Sequence, residues 1–377
     1  MAALLAWVAT LPVLVQILVV VGGFLAGTAL AILIIDVAPR PGRTGMLVRL
    51  AACVLVPLGV LLFVGSYTWA AAAAAVLGLG VFFLDARARG GRGTLVQLLT
   101  FLGPALLLVI AGLVIPAIQT TGQAFLSANG NRFVGLDNFL WIFTRPEGLR
   151  VVGNTIVWVV ITPVVATIAG LAYAIFIDRS RGEKVLKSLL FMPMAISFVG
   201  ASIIWKFMYT ARPAGQEQIG LLNQIIVWFG GQPVDVLQQQ PWNTLFLIVV
   251  LIWVQTGFAV VVLSASIKGV PAELLEAAEL DGAGAWQRFR SVTLPSIRPA
   301  LIVVLTTISI ASFKVFDIVR TMTAGANGTS VIANEMYTQF RNFEQGQAAA
   351  LALVLFVLVI PVIIYNARQM RRQGVSR

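Results

Sequence analysis

The sequence predicts an all-α polytopic membrane helix bundle of about nine transmembrane helices, with the N-terminus outside and the C-terminus cytoplasmic. Three observations carry this. Of the 377 residues, 59% are apolar and 11% charged, where a soluble domain has about 25% charged residues. Residues 1–35 and 50–84 hold no Asp, Glu, Lys or Arg, and each run exceeds the ~20 residues that cross a bilayer core. The cations cluster in short segments between apolar runs, which is how the positive-inside rule writes topology into a chain. The net charge of +11 therefore belongs to membrane orientation, and no extended basic face for nucleic acid is present.

Taken in order, the apolar runs place spans near 11–35, 44–65, 67–84, 97–118, 153–177, 188–208, 244–267, 300–323 and 347–366. The first span has no basic segment ahead of it and is read as a retained helix. Gly65-Ser66-Tyr67-Thr68 breaks an otherwise continuous run, so the second and third spans form a tight hairpin. That hairpin puts Arg40, Arg43 and Arg49 on the inner side with Arg87, Arg89 and Arg92, with Lys184 and Lys187, and with Arg371 and Arg372. Merging the two spans would send the first three outside, against the orientation bias such residues impose.

A composition break at Asp85–Gly93 divides the chain into an N-terminal three-helix extension, 1–96, and a six-helix core, 97–377. The extension carries glycines and the Ala70–Ala75 run, which suit close helix packing and offer no chemistry. In the core, three outside segments near 119–150, 209–243 and 324–345 are long and polar. Within the second, Gly220–Phe229 places Leu221, Leu222, Ile225, Ile226, Trp228 and Phe229 as a short interfacial helix would. The single cysteine, Cys53, excludes an intrachain disulfide and a thiolate metal cluster. The absence of histidine removes the commonest zinc ligand, the commonest proton shuttle and Ser-His-Asp chemistry.

The inner segment 268–299, KGVPAELLEAAELDGAGAWQRFRSVTLPSIRP, is too long and too patterned for a simple turn. Pro271 opens a helix, and Glu273 and Glu276 lie toward its N-terminus, where the dipole favours acids. Asp281-Gly282 ends it, because glycine accepts the left-handed geometry of a helix stop. A second helix starts near Ala285 and is expected to end before Leu294-Pro295, since proline biases its predecessor away from helix.

Glu276-Ala277-Ala278, three residues, Gly282, nine residues and Val292-Thr293-Leu294-Pro295 resemble the EAA loop of ABC importer permeases, with Val292 at the usual Ile. FVGLDNF at 133–139, Pro193-Met194-Ala195-Ile196-Ser197 and Ser312-Phe313-Lys314-Val315-Phe316-Asp317 narrow the resemblance to the maltose-type carbohydrate-uptake subfamily, over roughly 97–377. It implies a type I ABC importer permease core, whose partners are a second homologous permease, two cytoplasmic ATPase subunits and an extracytoplasmic sugar-binding protein. It also implies that Glu276, Ala277, Ala278, Asp281, Gly282, Leu294 and Pro295 serve coupling to the ATPase. Glu276 would pair with a basic residue there, Ala277 and Ala278 would permit close helix contact, and Gly282 would make the turn.

No G-x-x-x-x-G-K-[ST] occurs, so ATP and Mg²⁺ are expected on a partner chain and no cofactor or metal on this one. A chain of this kind transports and is not an enzyme. A sugar site wants aromatic platforms and hydrogen-bonding groups in a mostly apolar cavity. On the helices that the resemblance implicates, Met194, Phe198, Trp253, Gln255, Thr256, Phe258, Ser312, Phe316 and Asp317 supply these. Gln255 is the sharpest, because a mid-span carboxamide must find a partner. The alternative is an ion-coupled secondary transporter of a small polar solute, which needs ionisable groups near the midplane. Lys314, Asp317 and Arg320, at i, i+3 and i+6 of one expected helix, read instead as a neutralised cluster.

Overall fold

The computed structural model describes residues 109–374 except 179 and 181, and the first three expected spans and the 96/97 boundary lie outside it. The chain divides into two compact units at Gln119/Thr120. Among the described residues the fold is helical, with one isolated bridge between Leu126 and Phe133. A π-turn at Ile110–Val114 leads into α1 (Ile115–Gln123), the described end of the fourth expected span. Then follow α2 (Asp137–Thr144), α3 (Pro146–Ile177), α4 (Glu183–Phe191), α5 (Phe198–Tyr209), α6 (Leu221–Trp228) and α7 (Trp242–Lys268). After these come α8 (Ala272–Leu280), α9 (Ala285–Arg288), α10 (Leu294–Phe313), α11 (Asp317–Met322), α12 (Ile332–Arg341) and α13 (Gln345–Gly374).

Among the described residues, four helical stretches are long and apolar enough to cross a membrane: Pro146–Ile177, Trp242–Lys268, Ala285–Phe313 and Gln345–Asn366. At ~1.5 Å per residue, the 32 residues of α3 exceed a ~30 Å hydrocarbon core. α3 is the axis of the described bundle. Its Trp158 is buried in a cluster with α5, α7 and α11, its Ala166 and Ala174 join Ala259, Leu263, Val304 and Ile308 of α7 and α10, and its Val151 joins α2, α12 and α13. Lipid supplies no hydrophobic drive between helices, so close van der Waals contact decides their packing. A Cβ on Gly170 would fall 2.4 Å from the Ala259 Cβ, so α3 and α7 approach as closely as glycine permits.

Three expectations are corrected. The span placed at 188–208 is broken: Glu183–Ala195 and Phe198–Tyr209 meet at 102°, and neither half spans the core alone. Pro193 has no N–H to continue a helix, and the Ser197 hydroxyl accepts from Gly200 N–H at 3.1 Å, starting a new one. The eighth span ends at Phe313 rather than 323, and α11 begins at Asp317 after a break. Lys314 therefore lies off the helix that carries Asp317 and Arg320, and Asp317 makes no ion pair among the described residues. Arg320 lies over the Tyr337 ring instead, 4.7 Å from its centroid.

The third correction concerns Leu294-Pro295, which does not end the second helix of the 268–299 segment. α9 runs through a π-turn, Phe289–Thr293, into α10. Leu294 N–H donates to Phe289 O, one residue further back than in an α-helix, so the ladder slips register just before Pro295 and absorbs the donor it lacks.

The segment at 324–345 holds a helix, α12, inside what the sequence offers as a polar connection. Its approach, with Ala324 and Asn327 at positive φ, is pinned to the bundle by two asparagines. Asn154 Nδ2 of α3 donates to Gly328 O and Ser330 O at 2.7 and 2.8 Å, and Asn243 Nδ2 of α7 to Asn327 O at 2.8 Å. Asn138, in the FVGLDNF segment, likewise donates to Ala124 O and Leu126 O at 2.9 Å.

Candidate functional site

α7 ends at Lys268, and only Gly269, Val270 and Pro271 separate it from α8. α8 closes with both hydrogen bonds of a Schellman stop: Ala283 N–H donates to Ala278 O and Gly282 N–H to Glu279 O, each at 3.0 Å. Gly282 sits at φ +78° and Asp281 is the cap. Nothing lies near a Cβ built on Gly282, so backbone conformation alone selects glycine there. Glu279 pairs with Arg288 across the turn, and the Gln287 side chain accepts from Gly284 N–H at 2.9 Å.

No residue of α8 or α9 is buried. Glu276 and Ala277 are exposed, Ala278 is half-exposed, and Glu276 has no ion pair among the described residues. Leu280 is 90% and Trp286 69% exposed, and Leu274 stands out beside them. A surface acid among bare apolar side chains on a locally capped turn has the make-up of a docking element. Trp286, stacked near Phe289 with ring centroids 5.5 Å apart, escapes the motif reading. An aromatic four residues after Gly282 in a charged loop is the signal that could have found it. Leu294 is half-buried and Pro295 exposed at the head of α10.

The nine candidate substrate residues do not form one constellation. Met194 lies in the 3-10 turn Met192–Ala195 and Phe198 starts α5, so both stand at the elbow of the broken span, well exposed. Trp253 lies edge-on to Trp205 of α5 at 5.7 Å. Trp205 itself, missed in the sequence, has a buried Nε1 with no hydrogen-bond partner among the described residues. Phe316 stands 5.4 Å from Tyr337, and Asp317 opens α11 half-buried. Gln255, two residues and about 200° round α7 from Trp253, is half-buried and makes no side-chain hydrogen bond among the described residues. Phe258 packs on the cluster containing Val304 and Ile308. Thr256 and Ser312 spend their hydroxyls on Ile252 O and Ile308 O, at 2.7 and 2.8 Å.

A family model described as the binding-protein-dependent transport system inner membrane component matches residues 166–375, more than half of the chain. The chain belongs to that family. The permease is 44% identical over 274 residues to the osmoprotective compounds uptake permease protein GgtC of Synechocystis, covering 72% of this chain and 98% of the relative. It is 45% identical over 276 residues to the alpha-glucoside transport system permease protein AglF of Rhizobium meliloti, covering 73% and 82%. The fold matches a crystal structure of a bacterial ABC transporter involved in the import of the acidic polysaccharide alginate, with a TM-score of 0.64 and 23% identity over 73% of this permease and 95% of that chain. It is a multi-pass membrane permease of a binding-protein-dependent ABC transporter, and its relatives are transport subunits rather than enzymes.

Proposed function

We propose that this permease carries an oligosaccharide, of α-glucoside or maltose type, from an outside binding protein into the cytoplasm of a prokaryote, driven by ATP hydrolysed on partner chains. The observation that carries the reading is α8: a capped helix with the EAA residues, covered by none of the described residues and joined by three residues to a membrane-crossing helix. In this reading it docks on one of two cytoplasmic ATPase subunits, which hold ATP and Mg²⁺. A second homologous permease completes the pore in the lipid bilayer. The 97–377 core is of the size of the 274- and 276-residue alignments to whole-permease relatives, which supports treating 1–96 as an added membrane extension. The N-terminus is outside and the C-terminus cytoplasmic.

The path for substrate in this reading runs past the elbow, with Met194, Phe198, Trp253, Phe316 and Asp317 as its lining. Aromatic faces beside an acceptor-rich carboxylate suit a polyhydroxylated ring. Gln255, whose carboxamide has no partner among the described residues, takes one from substrate or from the second permease. Vesicles holding the full complex test the function with a panel of labelled sugars. ATP-dependent uptake of an α-glucoside, persisting when proton and sodium gradients are collapsed, is the expected result. Gradient-driven uptake by this chain alone would overturn it in favour of secondary transport.

A further inference from the structure

We propose that Asp178, Glu183, Lys187, Ser264 and Lys268 form a polar clamp that makes α4 and the coupling loop one lever, delivering motion of α8 to the elbow at Met192–Ser197. The proposal rests on the coupling role assigned above to α8. Lys187 Nζ of α4 donates to Asp178 Oδ1 at the end of α3, at 2.6 Å, to Glu183 Oε1 at 2.7 Å, and to the Ser264 hydroxyl of α7. Ser264 Oγ donates in turn to Asp178 Oδ1 at 2.6 Å. Lys268, the last residue of α7, pairs with Glu183. Two acids and two lysines thus neutralise one another across three helices.

Placement turns this cluster into a lever. The clamp grips α7 in its final two turns, immediately before the three-residue link to α8. About two turns further along α7, Gly257 packs against the α4 backbone: a Cβ there would fall 2.5 Å from Leu190 O and 3.1 Å from Phe191 Cα. α4 is therefore held to α7 at both of its ends. Its far end is the turn at Pro193, beyond which the chain swings through 102°. A short helix fixed to α7 on one side and ending in a corner on the other passes displacement of the coupling loop to Met194 and Phe198. Three residues from 178–187 meet two from 264–268 only because α3, α4 and α7 pack side by side. The Asp178 carboxylate, 11% exposed, and the Lys187 ammonium, 21% exposed, sit where solvent screening is weak and a lost partner is felt.

The test uses the complete transporter in proteoliposomes with sugar-loaded binding protein, and reads sugar moved per ATP hydrolysed. Lys187→Met should leave the complex assembled and hydrolysing ATP while the ratio falls about ten-fold or more, the scale of a broken, partly buried charge pair. Lys187→Arg should recover most of it. A brace that served folding alone would lower the yield of complex and leave the ratio unchanged, and an unchanged ratio overturns the proposal. Where Lys187→Met does not assemble, Ser264→Ala carries the test, because it removes the bridge from α7 to Asp178 and leaves each charge its partner; an unchanged ratio there is equally fatal. Glu276→Lys run in parallel separates the two ideas. If it transports normally, the coupling role of α8 is wrong; if it is inactive while the clamp variants keep the parent ratio, only the clamp is wrong.

Discussion

α7 and α8 are neighbours in the chain and opposites in how they are held. Of the 27 residues of α7, 13 are buried, whereas none of the nine in α8 is. α7 takes its place from contacts with α3, α4, α5 and α10, some of them so close that only glycine fits. α8 takes its shape from its own sequence: a proline ahead, acids toward its start and a Schellman stop behind. A helix of nine residues is not stable alone in water, so local signals define α8 without holding it, and its bare leucines need a partner surface. A membrane-crossing helix is fixed by its bundle. An exposed helix such as α8, in the coupling role proposed for it, would be fixed by another protein.

Two substitutions pull the regions apart. The larger effect belongs to Gly257→Leu, because its side chain would meet the backbone of Leu190 and Phe191, which cannot yield as a side chain tip would. We expect a loss of about 3 kcal/mol or more, read as failure of the purified complex to survive mild heating in detergent. A variant as stable as the parent would show that α4 can leave α7. Next comes Glu276→Lys on exposed α8, which should leave the heat resistance of the permease unchanged and abolish ATP-driven uptake. Removing one partner of a desolvated interfacial pair costs about 2–5 kcal/mol. Normal transport by that variant would overturn the coupling role of α8.

The elbow combines both modes, and Ser197→Ala measures the share of the local one. Its hydroxyl caps α5 by accepting from Gly200 N–H, and losing such a cap costs about 1 kcal/mol. Uptake should fall several-fold with assembly intact. Unchanged uptake would mean that packing of α4 and α5 alone sets the corner.

What the sequence reveals follows the same division. The limits of α8 are readable because Pro271, Asp281 and Gly282 act on their own neighbours, and the EAA spacing travels with them. α3, α7 and α13 are readable from long apolar runs. The elbow is not, although Pro193 and Ser197 stand in plain view, because apolar composition runs unbroken through the corner and masks the punctuation. Nor is the break between α10 and α11, where neither proline nor glycine intervenes and burial of Val315 and Ile318 on α5 and α7 decides the path. The clamp is invisible for a different reason: Lys187 and Ser264 are 77 residues apart, and Asp178 and Ser264 are 86. Nor does the sequence reveal that Thr256 and Ser312 turn their hydroxyls into their own helices.

The finest measure of how far α8 is self-determined is the residue that stops it. Gly282 lies at φ +78° with open space around its Cβ position, so a substitution there changes backbone preference and nothing else. Gly282→Ala forces alanine into the left-handed region, at about 1 kcal/mol, while Gly282→Asn costs less because asparagine tolerates that region. Neither should alter the stability of the bundle, which buries no residue of α8. Both should weaken the docking of the loop, by about five-fold for alanine and less for asparagine, since the partner must then supply the energy of making the turn. Titration of the purified ATPase onto the permease pair reads this order directly. Equal affinities for glycine, asparagine and alanine would mean that the ATPase surface, rather than the Schellman stop, bends the loop.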